Sequence, residues 1–294
     1  MNPLLKLLGT RTMTTLIAWV AIDQNVATAV YVASDSRLTW GDQGRWDLGR
    51  KIFASDKHPE ILGYTGDALF CSQVLGQVIS FIDTCAPMEM IATHVEKSQK
   101  VRLLLERAFS TYPQTFCLPN FSIFYLTRVG KTWGACTFVW TMNRGWSPTV
   151  VHAIPDTWQQ VSRSGCDDSI QAKSQLIFVS DGSGGAKFRA FYAASAWSKQ
   201  LPHLGRGIFG AFCDFIDSGL DPKTGGYPQM SCLYPTMGAQ KIGFTEGEGR
   251  YLYGIELEAG DLENNVRWVN RTFENCEPRT GQLLPNAQRQ PAPK

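Results

Sequence analysis

The stretch RTMTTLIAWVAID, residues 11–23, places Met13 directly before two threonines and an apolar run. A threonine hydroxyl is a weak nucleophile and needs an adjacent base, which can be the free α-amine of the same residue. An α-amine has a pKa of about 7.7–8.0, so a useful fraction is neutral at working pH. If Met13 is a start residue that is trimmed away, Thr14 carries its own base.

The chain contains only four histidines, and none of them lies in a pattern typical of a catalytic motif. A nucleophile that uses its own amine needs no histidine. The other interpretation stays open, in which Met13 is an accident of sequence and Thr14 is an ordinary threonine at a strand edge. The two interpretations differ in whether residues 1–13 are removed.

The elements that must position Thr14 follow an alternating order. Period-two patterns and β-branched residues predict strands, and apolar residues spaced by three and four predict helices. Predicted strands cover 14–22, 28–36, 50–56, 60–66, 120–129, 133–142, 147–154, 174–182, 229–234, 240–246 and 250–258, and predicted helices cover 67–85, 88–112, 184–200 and 205–219. This order predicts an α+β fold, a four-layer αββα sandwich of two stacked antiparallel sheets flanked by helix pairs.

The chain of 294 residues is long enough for one large domain with a sizeable core. We predict a single domain over residues 14–275, preceded by a leader or misassigned start at 1–13. The segment 276–294 is rich in proline and glutamine, which predicts a disordered C-terminal tail.

Charge and composition point away from several classes of partner. The formal net charge is +2 and no block of lysine or arginine occurs, so neither nucleic acid nor an anionic membrane is indicated. No apolar run approaches 18 residues, the length of a membrane-spanning helix. Eight cysteines are scattered without a C-x-x-C pair, which favours a reducing, cytoplasmic setting and no zinc site. No cofactor is predicted.

Several short motifs occur in a fixed order along the chain. They are MTTLIAW at 13–19, SDSRLT at 34–39, GRKIF at 49–53, GYTGDA at 63–68, SDGSGG at 180–185 and LDPKTGG at 220–226. Together they resemble the proteasome β-type subunits and the bacterial HslV peptidase, which are N-terminal nucleophile (Ntn) hydrolases of the threonine type. The resemblance covers most of residues 14–258 and implies the same Ntn fold.

The resemblance also implies roles for individual residues. Thr14 would be the nucleophile, Lys51 an ammonium that favours the deprotonated hydroxyl, and Asp35 the partner of Lys51. Gly66 would supply a backbone N–H to the oxyanion that forms during attack. A second set would hold the Thr14 amine by hydrogen bonds: Ser183, Asp221 and Thr224.

Without the resemblance these residues have ordinary structural explanations. Asp35 and Asp221 fit turns, and Ser183 fits a helix N-cap. The chain also departs from the family pattern, because Thr224 replaces a serine and Met13 replaces the glycine that usually precedes the threonine. Methionine at this position favours removal by an aminopeptidase over self-cleavage.

The implied activity is that of a threonine-type amide hydrolase, and specifically an endopeptidase acting on peptide or protein substrates. The family implies a homo-oligomeric ring and leaves room for an ATP-dependent unfoldase as partner. Two alternatives stay open: a catalytically idle scaffold subunit, and an Ntn amidase for small non-peptide amides. Scaffold subunits usually lack the threonine or the lysine, and this chain has both.

Overall fold

The protein is described by a computed structural model over residues 14–40, 44–85, 88–113, 120–157, 176–201, 204–261, 266–290 and 292–293. The predicted leader at 1–13 lies outside the described residues, as do Cys117 and Cys166.

Strands and helices alternate in the order that the sequence predicts. The strands are β1 Thr15–Asp23, β2 Val26–Ser34, β3 Leu38–Thr39, β4 Arg45–Trp46, β5 Ile52–Ala54, β6 Glu60–Gly66, β7 Asn120–Val129, β8 Thr132–Thr141, β9 Gly145–Trp146, β10 Val150–His152, β11 Ile177–Gly182, β12 Gln229–Leu233, β13 Ala239–Glu246, β14 Gly249–Leu252, β15 Ile255–Glu256 and β16 Arg267–Val269. The α-helices are α1 Ala68–Thr84, α2 His94–Ser110, α3 Gly185–Ala194, α4 Ala196–Gln200 and α5 Gly205–Ser218. Short 3₁₀ turns cover Met88–Met90 and Ala259–Asp261.

Two main sheets account for most of these strands. The first sheet has the order β11-β1-β2-β12-β13-β14-β15, and β16 joins β13 as a parallel neighbour. The second sheet has the order β10-β8-β7-β6-β5, with β9 paired to β8. Every pairing except that of β16 is antiparallel.

The sheets stack on each other, and the helices cover their outer faces. Strands β1 and β11 of the first sheet contact β6 of the second, and β12 contacts β5. Helices α1 and α2 pack on the second sheet, whereas α3 and α5 pack on β1 and β11 of the first. The predicted four-layer αββα sandwich is therefore confirmed.

The central position of β1 explains its sequence. Residues Leu16 to Val20 are all buried, because the second sheet covers one face of the strand and the helices cover the other. The sequence of a strand that is buried on both faces is a nearly continuous run of apolar residues. Trp19 stacks on Tyr31 of β2 with ring centroids 5.2 Å apart, which fixes the two strands side by side.

Helix α1 begins where its sequence supplies a cap. Asp67 accepts a hydrogen bond from the backbone N–H of Phe70, which satisfies one free donor of the first turn. The buried side chains of α1 recur every three or four residues and face the second sheet: Phe70, Cys71, Val74, Leu75, Val78, Ile79 and Ile82. This spacing holds the start of α1 beside the end of β6, next to Gly66.

The C-terminal segment, which composition predicts to be disordered, makes hydrogen bonds to other described residues. Buried Arg250 donates hydrogen bonds to the carbonyl oxygens of Gly247, Gly249 and Pro278, and so joins the segment to the β13–β14 hairpin. Further on, the backbone N–H of Gln290 donates to Glu274 over 2.7 Å. Composition did not reveal these contacts because they depend on particular partners, Arg250 of the hairpin and Glu274.

In the described part of the chain, every helix is too short or too polar to cross a bilayer.

Candidate active site

Asp35 lies just after β2 and forms the centre of the predicted site. Its Oδ1 accepts hydrogen bonds from Lys51 Nζ and from the backbone N–H of Thr15, both at 2.9 Å. Its Oδ2 accepts the backbone N–H groups of Arg37 and Gly225 at 3.0 Å. Four donors match the lone pairs of one carboxylate, so Asp35 is fixed in a single orientation.

Lys51 reaches Asp35 from the segment that precedes β5. Neither side chain of the pair is exposed to solvent. Burial lowers the pKa of the Lys51 ammonium below its usual value, and the nearby Asp35 carboxylate opposes this shift. A buried ammonium favours the anionic form of a hydroxyl that lies near it.

Thr14 immediately precedes the backbone N–H that Asp35 binds. Its side chain is buried, and its hydroxyl has no hydrogen-bond partner among the described residues. Its φ angle is +89°, a region that β-branched residues rarely adopt. Buried polar groups are usually paired, and strained residues cluster at functional sites. Both features set Thr14 apart from an ordinary strand threonine.

The second predicted set also comes together. Asp221 Oδ2 accepts hydrogen bonds from Ser183 Oγ at 2.7 Å and from Thr224 Oγ1 at 2.9 Å. The other oxygen, Oδ1, binds Lys187 Nζ at 2.8 Å. Burial favours a higher pKa for Asp221, but the hydrogen bonds from Lys187, Ser183 and Thr224 outweigh it and the pKa is lowered.

The set formed by Ser183, Asp221 and Thr224 contacts β1 through Thr15, the residue that follows the predicted nucleophile Thr14. Thr224 Oγ1 lies 2.6 Å from the hydroxyl of Thr15. Successive side chains of a strand point to opposite faces. Leu16 accordingly reaches Gly63 in the second sheet, whereas Thr15 faces Thr224 on the helix side. The two predicted groups are thus joined through Thr15, whose N–H binds Asp35 and whose hydroxyl binds Thr224.

Gly66 is the last residue of β6. Among the hydrogen bonds of the described residues, none joins Gly66 to Thr14. The φ angle of Gly66 is +96°, and a Cβ at this position would lie 2.4 Å from the carbonyl oxygen of Asn120. Only glycine fits there. The preceding residue, Thr65, and Thr14 both lie against Gly182 of β11. A Cβ at Gly182 would lie 2.0 Å from the Thr14 carbonyl oxygen and 3.2 Å from Thr65 Cγ2.

Three further residues belong to this neighbourhood that the motifs did not indicate: Thr15, Lys187 and Gln229. Thr15 could have been found from the TT pair, because strand alternation turns the second threonine to the other face. Lys187 lies in the first turn of α3, just after the SDGSGG motif, and no pattern in the sequence singles it out. Nothing local distinguishes Gln229, whose partners lie far away in sequence.

The arrangement can perform acid–base chemistry at a hydroxyl. The Thr14 hydroxyl has no hydrogen-bond partner among the described residues, and the N–H of the next residue donates to Asp35, the partner of Lys51. The hydroxyl of that next residue, Thr15, meets the hydrogen-bonded set around Asp221. Among the residues that the structure describes, no three metal-ligating side chains cluster.

Comparison with known proteins finds no matching protein-family model and no matching curated sequence. Several solved structures are similar. Anbu (ancestral beta-subunit) from Yersinia bercovieri is 10% identical, with a TM-score of 0.48 over 76% of this chain and 82% of that one. Anbu from Pseudomonas aeruginosa, solved as a helical assembly, is 12% identical with a TM-score of 0.45 over 77% and 82%.

Eukaryotic HslV from Trypanosoma brucei is 13% identical, with a TM-score of 0.41 over 74% of this chain and 99% of that one. At such identities the similarity concerns the fold, and the roles of single residues rest on the contacts of this chain.

Proposed function

We propose that the protein is a threonine-type amide hydrolase, and specifically an endopeptidase, whose nucleophile is Thr14 after removal of residues 1–13. The observation that carries this proposal is the position of Thr14. Thr14 is linked by its peptide bond to Thr15, whose N–H donates a hydrogen bond to Asp35 Oδ1. Lys51 Nζ donates to the same oxygen. The buried hydroxyl without a partner supports it.

In this mechanism the Thr14 Oγ attacks the carbonyl carbon of the scissile amide and its proton passes to the freed α-amine. The resulting oxyanion would take a hydrogen bond from the Gly66 N–H. The α-amine then gives the proton to the leaving amine, which departs and leaves an ester on Thr14. Water, deprotonated by the same amine, hydrolyses that ester and restores the hydroxyl.

The neighbouring groups have supporting roles in the proposal. The Lys51 ammonium, held by Asp35, lowers the cost of deprotonating the hydroxyl. Asp221, with Ser183 and Thr224, orients the start of β1 through Thr15 and thereby the amine of Thr14.

Assembly and compartment are part of the same proposal. Large apolar side chains are exposed on the outer helices, among them Leu69, Val95 and Leu103. We infer that they are covered in a homo-oligomer, which light scattering on the purified protein would detect. Cys85, Cys136, Cys213, Cys232 and Cys276 are free thiols, which fits a cytoplasmic protein. Stimulation of hydrolysis by an ATP-dependent unfoldase would identify such a partner.

The test compares a chain whose first residue is Thr14 with one that begins at Met1. Only the first has a free amine at the nucleophile, so it alone should cleave a peptide library. Thr14→Ala should lower kcat by about 10⁴-fold or more. Thr28→Ala, at an exposed threonine of β2, is the control and should leave kcat unchanged.

The same experiment separates the alternatives. A Thr14-started chain that cleaves no amide is a scaffold subunit, and one that cleaves only small amides is an amidase. Equal hydrolysis by the Met1 chain, or by Thr14→Ala, would overturn the proposed mechanism. The intact mass of the protein from its native source would show whether residues 1–13 are removed there.

A further inference from the structure

Gln229 on β12 is fully buried, and both ends of its amide are bonded to the segments that carry Asp35 and Lys51. Its Nε2 donates to three acceptors: Gly49 O at 2.6 Å, Ser36 Oγ at 2.9 Å and Asp35 O at 3.3 Å. Its Oε1 accepts from two backbone donors: Lys51 N at 2.9 Å and Ile52 N at 3.4 Å.

These contacts connect the two sheets at one point. Gln229 belongs to the first sheet, as does β2, which leads directly into Asp35. Lys51 leads into β5 of the second sheet. One amide therefore holds the backbone at both residues of the buried ion pair, and the relative position of the two backbones decides whether their side chains meet.

We propose that Gln229 is a positioning residue that sets the distance between the Lys51 ammonium and the Asp35 carboxylate. Its consequence for turnover rests on the function proposed above, whereas its effect on the geometry of the pair does not. Gln229 touches neither Thr14 nor any group that reacts in the mechanism, so it acts through Lys51 and Asp35.

The position requires a side chain that donates and accepts at the same time. A glutamine amide does both, with two N–H donors and a carbonyl acceptor. A carboxyl group of the same size can do so only when protonated, because a carboxylate accepts only. A methionine thioether fills the same length without donating. These differences give two variants with distinct expected behaviour.

Gln229→Met removes the amide and keeps the volume. In its crystal structure we expect Lys51 Nζ to have moved out of hydrogen-bond distance of Asp35 Oδ1, which is 2.9 Å in the wild type. We expect kcat to fall by about 10²-fold with little change in KM, because a displacement of about 1 Å at a reacting group costs that much.

Gln229→Glu keeps the shape and makes the contacts dependent on pH. The charged residues whose backbone Gln229 contacts are Lys51 and Asp35, and the charges of Arg37 and Asp47 act on Lys51. When protonated, the new carboxyl can replace the amide. When ionised, it faces the acceptors at Gly49, Ser36 and Asp35 without a proton to donate. Turnover should therefore fall by about 10²-fold as pH rises.

Gln240→Glu on β13 is the matched control, since Gln240 donates only to the nearby carbonyls of Gly238 and Ala239. It should show no new titration. The positioning role is overturned if the Lys51–Asp35 contact is kept in Gln229→Met, or if the Gln229→Glu profile follows that of the wild type. If the wild type hydrolyses no amide, the proposed function fails, and the crystal structure of Gln229→Met still decides the positioning role.

Discussion

Lys51 and Asp35 form an ion pair from which solvent is wholly excluded, with Nζ and Oδ1 2.9 Å apart. The same oxygen binds the backbone of Thr15, so the first strand and the ion pair share one atom. Removing one member of a buried pair leaves an uncompensated charge, which is strongly destabilising. The pair therefore serves the fold as well as the candidate site.

We expect Lys51→Met to lower the free energy of unfolding by about 3–5 kcal/mol, because Asp35 stays buried without its cation. Hydrolysis per folded molecule should also be lost. Denaturant titration and peptide cleavage measure the two effects separately.

Lys97→Met is the control for this variant. Lys97 and Glu60 form another buried pair, 2.6 Å apart, at the opposite end of β6 from Gly66. The strand length places this pair about 20 Å from Gly66. A similar loss of stability with normal hydrolysis per folded molecule is expected. Equal losses of hydrolysis in both variants would contradict a specific role for Lys51.

Lys187→Met tests the electrostatics of Asp221. The lowered pKa of Asp221 means that its stabilising effect is present above the ordinary aspartate pKa of about 3.9 and is lost as pH falls through the folded value. Without Lys187 the pKa of Asp221 rises, so acid unfolding should begin at higher pH. Lys187 is half exposed, so the shift should be modest and should shrink in high salt.

Circular dichroism against pH measures this shift. Lys199→Met removes the same charge from an exposed position of α4 and should leave the acid midpoint unchanged. An unshifted midpoint for Lys187→Met would mean that Ser183 and Thr224 suffice to hold the Asp221 carboxylate.

Thr14→Gly tests the backbone strain in the chain that begins at Met1. A φ of +89° costs a β-branched residue about 1–3 kcal/mol, and glycine adopts it freely. We expect a net gain of about 1 kcal/mol in unfolding free energy, since glycine also loses more entropy on folding. In a chain that begins at residue 14 no φ constraint exists, so the gain should vanish. A gain of equal size in both chains would refute strain as the cause.

Gly184→Ala tests how closely Gly184 packs against the hydroxyl groups of Thr15 and Thr224. A Cβ there would lie 1.9 Å from Thr15 Oγ1 and 2.8 Å from Thr224 Oγ1. Its φ of −91° suits alanine, so any loss comes from crowding. We expect unfolding free energy to drop by about 1–3 kcal/mol and hydrolysis to fall. Thermal unfolding checks the first effect, and Gly260→Ala, at a position with open space, should be neutral.

Strong local patterns predicted most of the fold. The apolar run of β1 and the helical spacing of α1 are each visible within one segment, and the structure has both. The boundaries depended on weaker signals. The second helix begins at His94, six residues after its predicted start, because the Thr93 hydroxyl accepts the N–H of Glu96. Threonine followed three residues later by glutamate is the sequence signature of a capping box, and it marks this start.

Other differences arise from single residues that change the chain direction. Ser195 is extended and caps the next helix, so the predicted helix over 184–200 is two helices. Tyr253 and Gly254 have positive φ angles, and they fold the predicted strand over 250–258 into a hairpin. Strand β16 pairs with β13 across a long connection, and three residues carry too little pattern to predict it.

For the candidate site, side-chain chemistry was more predictable than connectivity. Asp35 and Lys51 pair as the resemblance implied, although their types and spacing alone also fit a turn aspartate and a surface lysine. The hydroxyl of Thr15 and the amide of Gln229 reach their partners only through the stacking of β1 and β12 against distant loops. Such contacts are properties of the assembled layers.

The attachment of the C-terminal segment has a mechanical consequence. Arg250 bonds residues near Pro278 to the β13–β14 hairpin, at the side of the first sheet away from β1. A load applied at the C-terminal end reaches the Gln290–Glu274 contact first, and then this guanidinium and its carbonyl partners. Unfolding under such a load would start at that edge of the first sheet, and it would have to separate β13 and β12 before it displaced Lys51.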